Sequence, residues 1–336
     1  MNLKDVLVME VPSGALKKVV KNKGIDSKLN STEDMASAIA EQDIRTGNDL
    51  ANEFKFAGST AVNLNIVMKG ISPDWHNKDY FKTKLSNKFS PAIFTTGIRP
   101  VLDKIPRLIS AYDQGTKLVL AFSFLGTPRR YLEDFQIVSR SPQIVEYVVI
   151  HFSPFAVEVR ASHEQNKVFR DSVIDIMGIT PSDVVWEKAT KLTEEQANEL
   201  ATRLKARLRA AKHKMTEGPY ATKEVTAHTQ IDDLESDEQY KQEFSNQPMK
   251  KKTLVFEYSY SFGYEDSISY CITDEGLWIR SKAGEEVITY VLDQIIQIRY
   301  PSESDSDDDL SEVEIDETLS IDTGEYIEEQ LAIDIK

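Results

Sequence analysis

Apolar residues at helical spacing predict short helices over residues 1–56. Leu16, Val19 and Val20 fall on one helical face, and Gly24 stands where a C-terminal glycine would end that helix. Ser31, followed by Thr32 and two acidic residues, is a typical start for a second helix. We therefore expect a helical N-terminal segment in which a polar linker separates two helices between residues 12 and 41.

Residues 57–215 mix strand and helix patterns. Strands are expected at 61–68, 117–124, 135–138, 144–152 and 155–160. The run 117–124 is almost entirely apolar, which is typical of a strand buried on both sides. Residues 155–160 alternate between apolar and charged side chains, which predicts a half-exposed strand. Residues 98–112 read as a helix that Pro106 kinks or divides. The pattern predicts an α+β core domain with an antiparallel sheet and packed helices.

A basic amphipathic helix is predicted over residues 193–215, where the core domain ends. Thr193 and Gln196 form a capping box, and Leu200, Leu204 and Leu208 recur at a spacing of four residues. Cations line both edges of this apolar stripe and concentrate in its C-terminal half, where the helix dipole favours them.

Three further regions follow this helix. Residues 216–249 are polar and acid-rich and read as a linker. Residues 250–300 contain alternating runs at 254–262, 267–273, 276–282 and 287–290, which predict a small antiparallel β unit. Residues 301–336 form an acidic low-complexity tail for which disorder is the expectation.

Charge is distributed unevenly along the 336 residues. The formal net charge is −15, but fourteen acidic residues and a single lysine lie in the tail, so residues 1–300 are close to neutral. No apolar run is long enough to span a membrane, the N-terminus lacks the pattern of a secretory signal, and Cys271 is the only cysteine. These features predict a soluble cytoplasmic protein without a membrane partner.

The sequence contains no recognisable catalytic or metal-binding constellation. It lacks a P-loop and a dinucleotide-binding glycine motif, and its five histidines are scattered without metal-ligand spacing. His151 and Ser153 lie close in sequence, but no orienting acid or oxyanion donor is evident. Asp305, Asp307 and Asp309 fit the start of a calcium loop, yet its glycine and its terminal glutamate are missing. We therefore expect no metal and no cofactor, and the prediction leans away from an enzyme.

Two segments show partial resemblances to known modules. The helix, the break at Lys23-Gly24-Ile25 and the acid-started second helix of residues 12–41 resemble SAP-type and Rho N-terminal-type nucleic-acid modules. This resemblance implies that basic residues near the first helix contact phosphates. The meander of residues 254–298 is similar to bacterial pleckstrin-homology-like domains, which implies a protein partner and no particular reaction.

The leading prediction is a non-enzymatic protein that binds nucleic acid, or a nucleic-acid complex, through basic helical surfaces. In this prediction the acidic tail competes for the same cations. The alternatives are a protein–protein adaptor that uses the C-terminal β unit and the tail, and an enzyme whose site is assembled from dispersed residues. The predicted nucleic-acid-binding residues are Arg203, Lys205, Arg207, Arg209, Lys212, Lys214, Lys17, Lys18, Lys21, Lys23, Arg129 and Arg130.

Overall fold

The computed structural model describes residues 2–244 and 246–301. The described part contains nine α-helices: α1 (Leu3–Glu10), α2 (Ser13–Lys23), α3 (Thr32–Gln42), α4 (Ile44–Phe54), α5 (Lys78–Phe89), α6 (Asn166–Met177), α7 (Glu194–Arg203), α8 (Glu238–Phe244) and α9 (Glu285–Arg299). The two predicted N-terminal helices are confirmed as α2 and α3. Gly24 ends α2 with a left-handed φ of 64°, and the Ser31 side chain accepts a hydrogen bond from the Asp34 amide at 3.1 Å.

Thirteen strands are present in the same residues. They are β1 (Gly58–Lys69), β2 (Arg107–Gln114), β3 (Lys117–Leu125), β4 (Arg129–Glu133), β5 (Gln136–Arg140), β6 (Gln143–Phe152), β7 (Phe155–Arg160), β8 (Val185–Lys188), β9 (Arg207–Lys214), β10 (Thr222–Thr226), β11 (Met249–Ser259), β12 (Glu265–Thr273) and β13 (Gly276–Ala283). Eleven of them form one antiparallel sheet in the order β10-β9-β11-β12-β13-β1-β7-β6-β3-β2, with β8 paired to the end of β1. The predicted α+β class with an antiparallel sheet is confirmed.

Apart from the insertion of β4 and β5 in one case and of β10 and α8 in the other, the order of strand, helix, four strands and helix occurs twice along the chain. The first occurrence runs through β1, α5, β2, β3, β6, β7 and α6, and the second through β8, α7, β9, β11, β12, β13 and α9. In both, the four strands are neighbours in the sheet, and β1 and β8 pair with each other at its centre. We call β2, β3, β6 and β7 the first half of the sheet, and β9, β11, β12 and β13 the second half.

The two halves carry their helices on opposite sides. Val62 of β1 lies directly opposite Arg160 of β7 and Leu277 of β13, so these three side chains share one side. Leu277 packs in one core with α9, whereas Val159 points to the other side and packs in a second core with Phe169 of α6. Helices α5 and α6 therefore cover the first half from one side. Helices α1 to α4, α7 and α9 cover the second half from the other.

The predicted helix over residues 193–215 is wrong beyond Arg203. Helix α7 starts with the predicted capping box and ends at Arg203 with Leu204 as its C-cap, and Lys205 has a left-handed φ of 51° that redirects the chain into β9. Leu200, Leu204 and Leu208 all enter the same core, but from two elements. Pairing of β9 with both β10 and β11 outweighs the helical spacing of these leucines.

Three other expectations also differ from the structure. Residues 98–112 contain the end of an irregular segment and strand β2, since Pro106 separates them and prevents a continuous helix. Residues 287–290 are helical because Val287, Val291 and Ile295 follow a helical period and bury one face of α9. Strand β7 is buried along its whole length, so its alternation of apolar and charged residues does not mark a solvent-facing side.

The predicted domain boundaries at residues 57, 216 and 250 do not coincide with compact units. Residues 250–300 supply β11, β12 and β13, which belong to the same sheet as β1, and residues 1–300 cluster into one unit. Residues 216–249 contain β10 and α8 where a linker was expected. The acidic tail beyond Pro301 lies outside the described residues.

Candidate nucleic-acid interface

Three of the predicted phosphate-binding arginines are engaged by neighbouring acidic side chains or carbonyl oxygens. Arg203 forms an ion pair with Glu199 at 2.6 Å. Arg207 contacts Asp232 at 3.0 Å and Glu257 at 2.5 Å. Arg209 donates a hydrogen bond to the backbone oxygen of Asp232 at 2.7 Å. A phosphate would have to displace these partners, so these arginines are weaker candidates than their spacing suggested.

The remaining predicted cations lie on separate elements. Lys17, Lys18, Lys21 and Lys23 are exposed on α2, and Lys23 lies 3.9 Å from Asp43. Arg129 and Arg130 are exposed on β4, which pairs only with β5 and not with the large sheet. Lys205 is exposed at the turn between α7 and β9. The structure therefore does not bring these cations together with the arginines of β9.

One side of the second half of the sheet is covered by no helix of residues 2–244 and 246–301, and we call this side the open face. Trp278 of β13, the strand of this half that lies next to β1, is on this face with 49% of its surface exposed. Cys271 of β12 lies directly opposite Trp278, and Thr253 of β11 lies opposite Cys271 one strand further away; both are small and buried. A flat aromatic side chain surrounded by small residues on an open sheet is a surface on which a planar ring can stack.

Cations flank Trp278 on the open face. Lys251 of β11 lies in register between Lys212 of β9 and Thr273 of β12, so all three point to the open face. Lys214 and Arg280 follow two residues from Lys212 and Trp278 and therefore share their side. Lys251 lies 3.5 Å from Glu224, whereas Arg280 is exposed and has no ion pair in the described residues.

The sequence pattern placed Lys212 and Lys214 in a binding surface but gave no role to Trp278 and Arg280. The signal was present in residues 276–282, where Trp278, Arg280 and Lys282 alternate with Leu277 and Ile279. That alternation predicts a strand with one aromatic and basic side. Lys282 itself is less available, because its amino group donates a hydrogen bond to the Met9 carbonyl and its pKa is lowered by burial.

A groove of about 960 Å³ adjoins the open face. It exists because β7 ends at Arg160, while its neighbours β6 and β1 continue beyond that point. The two flanking strands leave a notch whose width is about two strand spacings, or on the order of 10 Å. Trp278 and Lys251 line one end of the groove, and Tyr147 lines the other.

Both positive and negative groups line the groove. Lys55, Lys251 and His163 contribute positive or titratable groups. Burial lowers the pKa of His163 and Lys188 also acts to lower it, so the ring is neutral near pH 7. Burial raises the pKa of Glu146 to about 7, so this carboxyl group is half protonated near neutrality. The negative charge of the groove therefore diminishes as the pH falls below 7.

A buried ion network lies on the side of β7 that faces α9, and its Arg160 also lines the groove. The Arg160 side chain is 1% exposed; it donates to Glu158 at 2.6 Å and to the Phe56 carbonyl at 2.7 Å, and it also contacts Glu285. His151 lies 2.8 Å from the same Glu158. Because every carboxylate of this network is occupied by a cation, it neutralises buried charge and offers no free nucleophile or base.

A search of the described residues for metal sites finds no group of three or more histidine, cysteine, aspartate or glutamate side chains that could hold an ion. Within the same residues, every helix is too short or too polar to cross a bilayer. No protein-family model matches this chain, and no curated protein sequence is significantly similar to it.

Proposed function

We propose that the protein binds single-stranded nucleic acid on the open face, as a binding protein without catalytic activity. The observation that carries this proposal is Trp278, which is half exposed on the open face, a surface that also carries cations of β9, β11 and β13. Aromatic stacking accepts any base, and cations beside it neutralise the phosphates. A cytoplasmic location is part of the proposal and is consistent with the single, buried cysteine.

The proposal assigns stacking to Trp278 and phosphate contacts to Lys212, Lys214, Lys251 and Arg280. Four phosphate contacts on a single strand predict that the logarithm of affinity falls with the logarithm of salt concentration with a slope of about −3. Duplex DNA is a poorer ligand, because its bases are already stacked on each other and cannot reach the tryptophan. Sequence preference is expected to be slight, since no base edge is read.

Fluorescence titration with a short oligonucleotide tests this assignment directly. Trp278 is the tryptophan with the greatest exposure, because Trp75 is 7% exposed and Trp186 is only partly exposed. Binding should quench the fluorescence of the parent protein. In Trp278→Phe the residual fluorescence should not respond, and Trp278→Ala should lose about 1–3 kcal/mol of binding energy.

Charge variants separate phosphate contacts from nonspecific attraction. Lys251→Gln and Arg280→Gln should each weaken binding and make the salt slope shallower by about 0.7. Arg203→Gln is the matched control, because this arginine is paired with Glu199 and lies away from the open face. If the control weakens binding as much as Arg280→Gln, or if Trp278→Ala binds like the parent, the open face is not the site.

A further inference from the structure

Strands β4 and β5 form an arm that projects from the large sheet. Among the strands that the structure describes, these two pair only with each other, in the register Arg129↔Arg140 to Glu133↔Gln136. Every residue from 127 to 137 is exposed. Four of these exposed residues are large and apolar: Tyr131, Leu132, Phe135 and Ile137. An isolated two-stranded hairpin is marginally stable in water, so such an arm gains by packing against another surface.

At the tip of the arm, Phe135 is exposed to water and its backbone adopts an unfavourable conformation. Asp134 and Phe135 have φ angles of 48° and 63°, a left-handed conformation in which hairpin turns normally carry glycine or asparagine. Phe135 is nevertheless 98% exposed. A bulky aromatic residue that is both strained and fully exposed points to a function for its side chain outside this chain's own core.

An apolar patch lies beside the base of the arm. It comprises Val101, Leu102 and Ile105, which precede β2, and Val168 of α6, and all four are between 47% and 63% exposed. Two depressions of about 430 and 380 Å³ open within this patch and share Pro106 in their walls. Exposed apolar residues concentrated in this way mark an interaction surface.

The tip of the arm and the rim of the patch carry opposite charges, while the exposed Arg129 and Arg130 lie at the base of the arm. The tip carries Asp134, and the rim of the patch carries Lys104 and Arg99. These three side chains have no ion-pair partner in the part of the chain that the structure describes. Glu133 is already paired with Arg140 at 2.6 Å within the arm. An arm seated in the patch would place the tip acid near the rim cations.

We propose that two copies of this chain form a dimer in which each arm packs into the patch of the other copy. The arm begins at residues Gly126 to Pro128, which also line one depression of the patch. The arm and the patch are adjacent on one chain. A twofold axis therefore places the arm of each copy over the patch of the other copy, and no arm or patch is left over to bind a third copy. Each copy carries both an arm and a patch, so the closed interface contains two identical arm–patch contacts.

The test measures the mass of the full chain in the absence of nucleic acid by sedimentation equilibrium. The parent protein should be a dimer of the 38.1-kDa chain at micromolar concentration. Phe135→Ser and Leu132→Ser should each raise the dissociation constant at least tenfold. Met68→Ser is the matched control, because Met68 is 52% exposed and lies at the far end of β1. A parent protein that remains a monomer overturns the proposal, as does a dimer that the two arm variants leave intact.

Charge exchange and cross-linking identify the contact within the dimer. Asp134→Lys and Lys104→Glu should each weaken the dimer, and the double variant should recover part of the loss. Phe135→Cys mixed with Val168→Cys should give a disulfide-linked heterodimer under mild oxidation, and neither variant alone should do so. The buried Cys271 is not available for this reaction. Failure of the mixed pair to cross-link in a protein that is dimeric would place the interface elsewhere.

Discussion

Arg160 and Arg280 occupy the two strands that flank β1, and they show how differently the two halves of the sheet treat charge. Arg160, on β7, is buried and bound to two carboxylates and a carbonyl oxygen. Arg280, on β13, is exposed on the open face and has no ion pair in the described residues. Helices and the chain leading into β1 cover β7 from both sides, whereas β13 has helices on one side only. Whether a strand is covered on both sides thus decides whether an arginine on it must be bound by other protein groups or can remain hydrated.

The carboxylates around Arg160 depend on it for their ionised state. Burial alone would raise the pKa of Glu158, but Arg160 and His151 outweigh burial and hold that pKa far below its usual range. Burial likewise acts to raise the pKa of Glu285, and the same arginine, together with Lys117, lowers it. Removing the arginine would leave two buried carboxylates without sufficient compensation.

The largest expected effect is a difference in stability between variants of the two arginines. Arg160→Met should lower the free energy of unfolding by about 3–5 kcal/mol, because it leaves Glu158 and Glu285 without their shared cation. Arg280→Met should change it by less than about 0.5 kcal/mol, because an exposed side chain without partners is removed. Urea denaturation of both variants at pH 7 measures the difference. Equal losses of unfolding free energy in the two variants would mean that burial of the strand does not determine how much the loss of its arginine destabilises the protein.

A smaller effect should appear as a pH dependence of stability. Burial raises the pKa of Glu146 from its usual 4.5 to about 7, so the folded protein binds more protons than the unfolded chain between these values. The stability therefore falls as the pH rises through this window. The full shift corresponds to about 3 kcal/mol, and partial exposure of Glu146 should reduce it to about 1–2 kcal/mol.

Glu146→Gln tests this assignment, since it keeps the shape of the side chain and removes its titration. The variant should gain stability relative to the parent at pH 8 and not at pH 4, as measured by thermal unfolding. Glu164→Gln is the control, because it removes an exposed carboxylate from the same groove. An unchanged difference between pH 4 and pH 8 in Glu146→Gln would assign the pH dependence to another group.

The smallest expected effect concerns the arm, which belongs to neither half of the sheet. Phe135→Gly should stabilise the turn by about 1 kcal/mol relative to Phe135→Ala, because only glycine adopts the left-handed conformation without strain. Both variants lose the aromatic side chain, so their difference isolates the backbone contribution. Denaturation at protein concentrations well below dimer formation provides the measurement. If alanine is tolerated as well as glycine, the turn stores no strain at this position.

Several elements could be predicted because their signals are local. The capping serine of α3, the terminal glycines of α2 and α6, and the capping box of α7 lie within a few residues of the helix ends that they determine. Strand β3 was predictable because its residues are apolar almost without interruption. Helix α9 could have been found as well, since Val287, Val291 and Ile295 carry its period, but the shorter alternating run at its start suggested a strand.

The candidate site was less predictable because its residues are distant in sequence. Lys212, Lys251 and Trp278 come from three strands, and only their register places them on one side of the sheet. The ion pairs of Arg207 were not visible in the sequence for the same reason. Their partners Asp232 and Glu257 lie 25 and 50 positions from Arg207, so their spacing along the chain did not reveal the pairing.

By itself, the sequence determined where the chain can start and end its helices, which runs are apolar enough for strands, and that the excess negative charge lies in the tail. Those properties follow from short-range backbone chemistry and composition. Only the tertiary structure decided that two rounds of strand, helix, meander and helix share one sheet with helices on opposite sides. The physical reason is that pairing between distant strands fixes register, and register decides which charges are buried with partners and which face water.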